Sequence, residues 1–200
     1  MDNSKRNTSD FFDELTIRCS MDSLFDVSQL RKIYDAGIQA KDARYKRFME
    51  EIEARNDPEL VAFYEGTDEW HIQTDIFNQL CIIGVYIDVE LFLKTVLKYH
   101  FKVASADTFT YKEIKERYRL RKIKLSSLKS FSCFNELRLL NNAIKHNGCV
   151  SKDLSKEYPQ RWKIGEKIRI SEEYINILAT EVKNFKHSLY DKISPDFKYK

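Results

Sequence analysis

The stretch FSCFNELRLLNNAIKHNG, residues 131–148, decides how the rest of the chain is read. At 3.6 residues per turn, Arg138, Asn142 and His146 stand at i, i+4 and i+8 on one helix face, with Asn135 and Lys145 close by. Leu137, Leu140 and Ile144 fall on the opposite face, so the segment buries one side and presents a polar stripe on the other. Asn147-Gly148 is the kind of pair that stops a helix through a left-handed residue, which leaves His146 on the last turn. There the partial negative charge of the helix end favours the imidazolium, a setting that suits an acid/base group. A lone histidine at such a position is most often a solvated cap, so the stripe needs support from the rest of the chain.

Two hundred residues with 42% hydrophobic and 13% aromatic content suffice for one substantial core. Five glycines and three prolines leave few breakers, which favours long helices over many strands and turns. Thirty-four basic residues against 31 acidic ones give a net charge of +3, too balanced to mark a dedicated nucleic-acid binder by charge alone. Cys19, Cys81, Cys133 and Cys149 are scattered with no CxxC pair, and Cys81 and Cys133 lie in apolar patterns that read as buried thiols. The first ten residues are polar, and the most apolar run, 80–93, is short and holds Asp88 and Glu90, whereas a membrane span needs about 20 apolar residues. The expectation is a soluble protein of a reducing cytoplasm with no membrane contact.

Upstream of the stripe, Thr110 is placed to cap a helix over 111–118, and the tract RYRLRKIK, 117–124, is the densest positive cluster in the chain. Arg119, Arg121, Lys122 and Lys124 are therefore candidate phosphate-backbone contacts. From 70 to 101 the chain is unusually apolar at three- and four-residue steps, through Ile72, Ile76, Phe77, Leu80, Ile83, Ile87, Leu91 and Val96. This predicts the central, most buried helix. Glu90 and Lys94 interrupt it at i, i+4; a charge in a buried stretch has to be paired or functional, and these two are candidates to orient Arg138 or the imidazole. Earlier come a long helix over 29–55, with Leu30, Ile33, Ile38, Phe48 and Ile52 inward, and shorter helical pieces over 10–18 and 57–66. Downstream, 149–171 reads as irregular, with room for a small β-hairpin around Gly165. A last helix then starts at Ser171 and carries Tyr174, Ile175, Leu178, Val182, Phe185 and Leu189 on its apolar stripe. The division expected is an N-terminal helical extension over 1–66, a helical bundle over 67–193 and a tail over 194–200.

Several chemistries find no residues to run on. No glycine sits in a GxGxxG or GxxxxGK loop, no GxSxG elbow occurs, and no HxxxH or HExxH pair offers zinc ligands. Neither a cofactor nor a metal is expected. What remains open to one imidazole with cations and amides around it is cleavage of RNA, in which the substrate's own 2′-hydroxyl is the nucleophile.

The run 140–147, LNNAIKHN, resembles the terminal motif of the HEPN superfamily, all-helical domains of prokaryotic toxins, defence systems and RNA-processing enzymes. That motif reads Arg, a polar residue, three further residues and His, followed by Asn or a small residue. His146, Asn142 and Asn147 match, while the Arg position falls on Asn141 and the nearest arginine is Arg138, one turn earlier. The segment 85–94, VYIDVELFLK, is similar to the HEPN helix that faces the motif helix, with Glu90 and Lys94 as its charged pair. The resemblance implies an all-α, up-and-down helical bundle of HEPN type, the hairpin near 162–170 being its one extended feature. It implies metal-independent endoribonuclease activity in a toxin or phage-defence setting, with His146 as acid/base and Arg138 and Asn142 as phosphate contacts. Lys145, Asn147, Asn141 and the basic tract would bind substrate. RNA, a second copy of the chain completing the acid/base pair, and an antitoxin or defence-system protein are the implied partners. A non-catalytic HEPN-like module that binds RNA, a nucleotide or a protein is the alternative that the Asn141 departure keeps open.

Overall fold

The computed structural model describes residues 8–21, 27–55 and 69–194. Seven α-helices follow one another there: α1 Thr8–Met21, α2 Val27–Arg55, α3 Glu69–Thr95, α4 Tyr111–Leu120, α5 Phe131–His146, α6 Lys152–Glu157 and α7 Glu172–Ile193. A π-helical turn, Val96–His100, continues α3, and two 3-10 turns, Ala104–Thr108 and Leu125–Ser127, flank α4. The expected piece over 57–66 lies outside the described residues.

The core forms where α3, α5 and α7 pack against one another, with α1 lying across the end of α3 and its π-turn. Phe134 of α5 stacks on Phe185 of α7 with ring centroids 4.6 Å apart, and both side chains are fully buried. Leu137 and Leu140 are buried with them, as the helical period requires. Each such side chain contributes about 1.5–3 kcal/mol by leaving water. Asp88 of α3 and Lys186 of α7, both buried, meet at 2.6 Å, so the charge that interrupts the apolar run is paired inside the bundle.

The helix ends follow the local chemistry of the chain. Thr110 caps α4 in a reciprocal box, its hydroxyl accepting from Glu113 N while the Glu113 carboxylate accepts from Thr110 N. Ser171 accepts from Tyr174 N at the start of α7. At the end of α5, Gly148 adopts φ +68°, and its N–H donates back to Ala143 O at 3.1 Å.

Three expectations are corrected. The hairpin around Gly165 does not form, and no named strand occurs among the described residues. Instead 165–168 pairs with 148–150, Val150 N donating to Glu166 O at 2.8 Å and Ile168 N to Gly148 O at 2.8 Å. The turn after α5 leaves those backbone groups open, and Ser151 then starts α6, which the sequence reading left irregular. Ile33, expected inward, is 70% exposed. Helix α2 meets α3 through Arg31 and Tyr34, Tyr34 stacking on Phe77 at 4.1 Å, and Ile33 lies on the far side of that contact. Finally, α3 is not buried all round. Ile76, Leu80, Ile87 and Leu91 form an exposed apolar stripe, while Cys81, Ile82, Val85, Val89 and Phe92 fill the core.

Candidate functional site

Helix α5 carries the stripe. Asn142, Lys145, His146 and Asn147 are exposed, and Arg138 and Asn135 are half-buried. His146 closes the helix, and its ring makes no hydrogen bond or ion pair among the described residues. It stands two turns beyond Arg138, about 12 Å along the axis at 1.5 Å per residue.

Arg138 is held below that end. Its Nη2 donates to Asn135 Oδ1 at 2.9 Å, and its guanidinium lies 4.8 Å from the centroid of the Tyr111 ring. Burial raises the pKa of the Tyr111 phenol, and the nearby Arg138 charge pulls it the other way. Tyr86 of α3 belongs to the same cluster. Burial first, then the nearby Glu90 carboxylate, push the Tyr86 phenol far up, with Arg138 again opposing. Glu90 is in turn paired to Lys94 at 2.6 Å. The fold therefore brings Glu90 and Lys94 to the Arg138 end of the stripe, through Tyr86, and leaves the imidazole free of them.

Asn141 is buried at 2% exposure. Its Nδ2 reaches Asn142 Oδ1 only at 3.5 Å, and its Oδ1 has no hydrogen-bond partner among the described residues. An orphaned buried amide oxygen costs about 1–3 kcal/mol, so an apolar residue would be the more stable choice at this position. Asn147 turns its side chain to the backbone, its Oδ1 accepting from Cys149 N at 3.0 Å.

The basic tract divides. Arg121 faces away, donating to Arg117 O at 3.0 Å with its guanidinium 4.8 Å from the Phe101 centroid. Arg119, Lys122 and Lys124 instead line a groove of about 670 Å³ together with Lys112, Lys115 and Glu116. Lys112 and Lys115 escaped the sequence reading. Their signal was the i, i+3, i+7 spacing of Lys112, Lys115 and Arg119 opposite the buried Ile114 and Tyr118. Lys112 follows Tyr111, which stacks under Arg138, so α4 links the groove to the lower end of the stripe.

A second polar centre on α5 was also missed. Glu136 is buried at 3% exposure and accepts from Arg161 Nη1 at 2.9 Å and from Trp162 Nε1 at 2.6 Å. Arg161 Nη1 also donates to the Tyr174 hydroxyl, and burial followed by the nearby Glu136 carboxylate pushes that phenol well up. Such a knot around one carboxylate ties the segment between α6 and α7 to the helix that carries His146. Its trace in the sequence was an acid in the phase of the apolar face.

Among the described residues no three His, Cys, Asp or Glu side chains cluster as metal ligands, and no helix is long and apolar enough to cross a membrane. No family model, curated protein or solved structure matches the chain. The functional reading therefore rests on the residues themselves.

Proposed function

We propose that this chain is a HEPN-like endoribonuclease of a toxin or phage-defence system that works without a metal ion in the cytoplasm. The observation that carries the reading is an exposed, unbonded imidazole at the end of α5 with the amide of Asn142 one turn below and the Lys145 ammonium on the same exposed end. His146 would move the protons of an attack by the RNA 2′-hydroxyl, while Asn142 and Lys145 meet the charge that develops on phosphate. Arg138 would join them on leaving Asn135, and Asn147 would shape the end of the subsite, whereas Asn141, expected to bind substrate, is buried and takes no part. One protomer offers one imidazole, so the reading includes a homodimer. The exposed apolar stripe of α3 supports it, because Ile87 and Leu91 adjoin Glu90 and Lys94 on the helix surface beside the Arg138 cluster. An antitoxin or another defence-system protein is the partner this role calls for.

The test is incubation of purified protein with RNA in a chelator. Cleavage leaving cyclic phosphate ends is expected, and His146→Ala should abolish it with the circular dichroism spectrum unchanged. A variant as active as the parent would take His146 out of the mechanism.

One observation favours a second reading, a non-catalytic HEPN-like module that binds RNA, a nucleotide or a protein partner. At the motif's Arg position Asn141 is buried, and Arg138, the nearest substitute, is engaged by Asn135 and Tyr111. RNA binding without cleavage, unaffected by Arg138→Ala, would decide for it.

A further inference from the structure

Helix α4 ends in an arrangement that a glycine normally serves. Lys122 has φ +61°, its N–H donates to Arg119 O at 2.9 Å, and the next N–H, of Ile123, donates to Tyr118 O at 3.0 Å. These are the two bonds of a Schellman cap, with Lys122 as its left-handed residue and the buried Ile123 and Tyr118 as its apolar contact. A side chain with a Cβ is disfavoured in that conformation, and lysine has no side-chain group that compensates locally as asparagine does. Lys122 is also one of the five cations of the groove. Strain kept at a ligand-facing position points to the side chain as what is being kept.

We propose that the groove between α4 and residues 122–126 is a binding site for a run of consecutive phosphates, and that Lys122 is held left-handed to present its ammonium there. The site goes beyond the His146 reading and stands whether or not that histidine cuts RNA.

The groove's chemistry selects phosphate over carboxylate. Arg119 is its one arginine, and the fork that would grip a carboxylate is already taken, Nε and Nη2 donating to Glu116 at 2.8 and 2.7 Å. What is left to meet a ligand is four lysines, point charges that suit the many oxygens of a phosphate chain. Lys112, Lys115 and Arg119 span about 10 Å along one helix face, a length that calls for more than one phosphate. The negative end of the α4 dipole, which would repel an anion, is muted. Arg121 Nη1 covers Arg117 O at 3.0 Å, Arg121 N and Ile123 N cover Tyr118 O, and Lys122 N covers Arg119 O. Arg121, turned away from the groove, thus still serves it.

Two sources could supply such a phosphate chain, the backbone of single-stranded RNA or a free polyphosphate such as that of a nucleotide. The test titrates the full chain with a twelve-residue oligouridylate and, separately, with inorganic tripolyphosphate, at several salt concentrations. Lys122→Gly is expected to weaken binding at least about fivefold and to lower the salt slope for the RNA by about 0.7, the share of one phosphate contact on a single strand. The same variant should melt about 3 °C higher, because glycine relieves the strained position. Lys152→Ala, an equal loss of charge on α6, should leave binding as it is. RNA bound without tripolyphosphate assigns the site to the RNA backbone; tripolyphosphate bound without RNA assigns it to free polyphosphate; both bound assigns it to either. Binding of neither, a Lys122→Gly chain that binds as tightly as the parent, or one that melts lower than the parent, overturns the proposal.

Discussion

Replacing Glu136 by alanine is the sharpest test of how the fold holds the helix that bears His146. The carboxylate accepts from Arg161 and Trp162 at once while only 3% exposed. Truncation strips the buried Trp162 indole N–H of its acceptor and opens a cavity beneath α5. The Arg161 guanidinium suffers less, since half of its side chain already meets water and can turn outward. One orphaned donor at about 1–2 kcal/mol, with a small cavity term, gives a loss of about 2 kcal/mol. For a chain of this length that is a fall in Tm of about 4–8 °C. The assay is thermal unfolding followed by circular dichroism, with Trp162 emission as a local probe. Glu136→Gln, which keeps the volume and one acceptor but loses the charge, should fall between. A Glu136→Ala chain melting within about 2 °C of the parent would refute the reasoning, because the carboxylate would then not be tying the segment between α6 and α7 to α5.

Other outcomes follow from the same structure. His146→Ala should remove metal-independent RNA cleavage while leaving the melting curve in place, read by gel assay of the cut ends. Thr110→Ala should cost about 1 kcal/mol through loss of the α4 cap, read by denaturant titration. Hydrogen bonds from the Thr110 backbone and hydroxyl hold Glu113 below the usual carboxylate range. The stability this gives is present above the unfolded value near about 4.3 and is lost as pH falls through the lower folded one, so the Thr110→Ala deficit should shrink on acidification. Burial raises the Cys81 and Cys133 thiols, so both hold less thiolate at neutral pH, and Cys81, fully buried, should be labelled by a disulfide reagent far more slowly than exposed Cys19. Cys133 labelling should still be accelerating above pH 9, and equal rates for Cys19 and Cys81 would contradict the burial described.

The extent of the described helices other than α6, and the inner face of α5, were legible because both are local matters. Leu137 and Leu140 are buried where a period of 3.6 residues puts them, Thr110 and Ser171 cap where their hydroxyls reach the first turn, and Gly148 stops α5 because a left-handed residue is easy for glycine. The polar face of α5 was legible to the same degree: the period places Asn142, Lys145 and His146 together at an exposed helix end. What they do there is a matter for the assays above.

Partners distant in the chain were beyond that kind of reading. Asp88 meets Lys186 across 98 positions and Glu136 meets Trp162 across 26. Each acid sits on a helix whose period says only that it faces inward, not what waits there. Likewise RYRLRKIK reads as one basic run, yet Arg121 folds back on α4 while Lys122 and Lys124 join Lys112 and Lys115 across a groove. Sequence spacing determines which side of a helix a residue occupies, since neighbours within a turn share one rigid geometry. Which side chain it meets is decided only when helices pack, because that choice depends on how whole faces fit together in space.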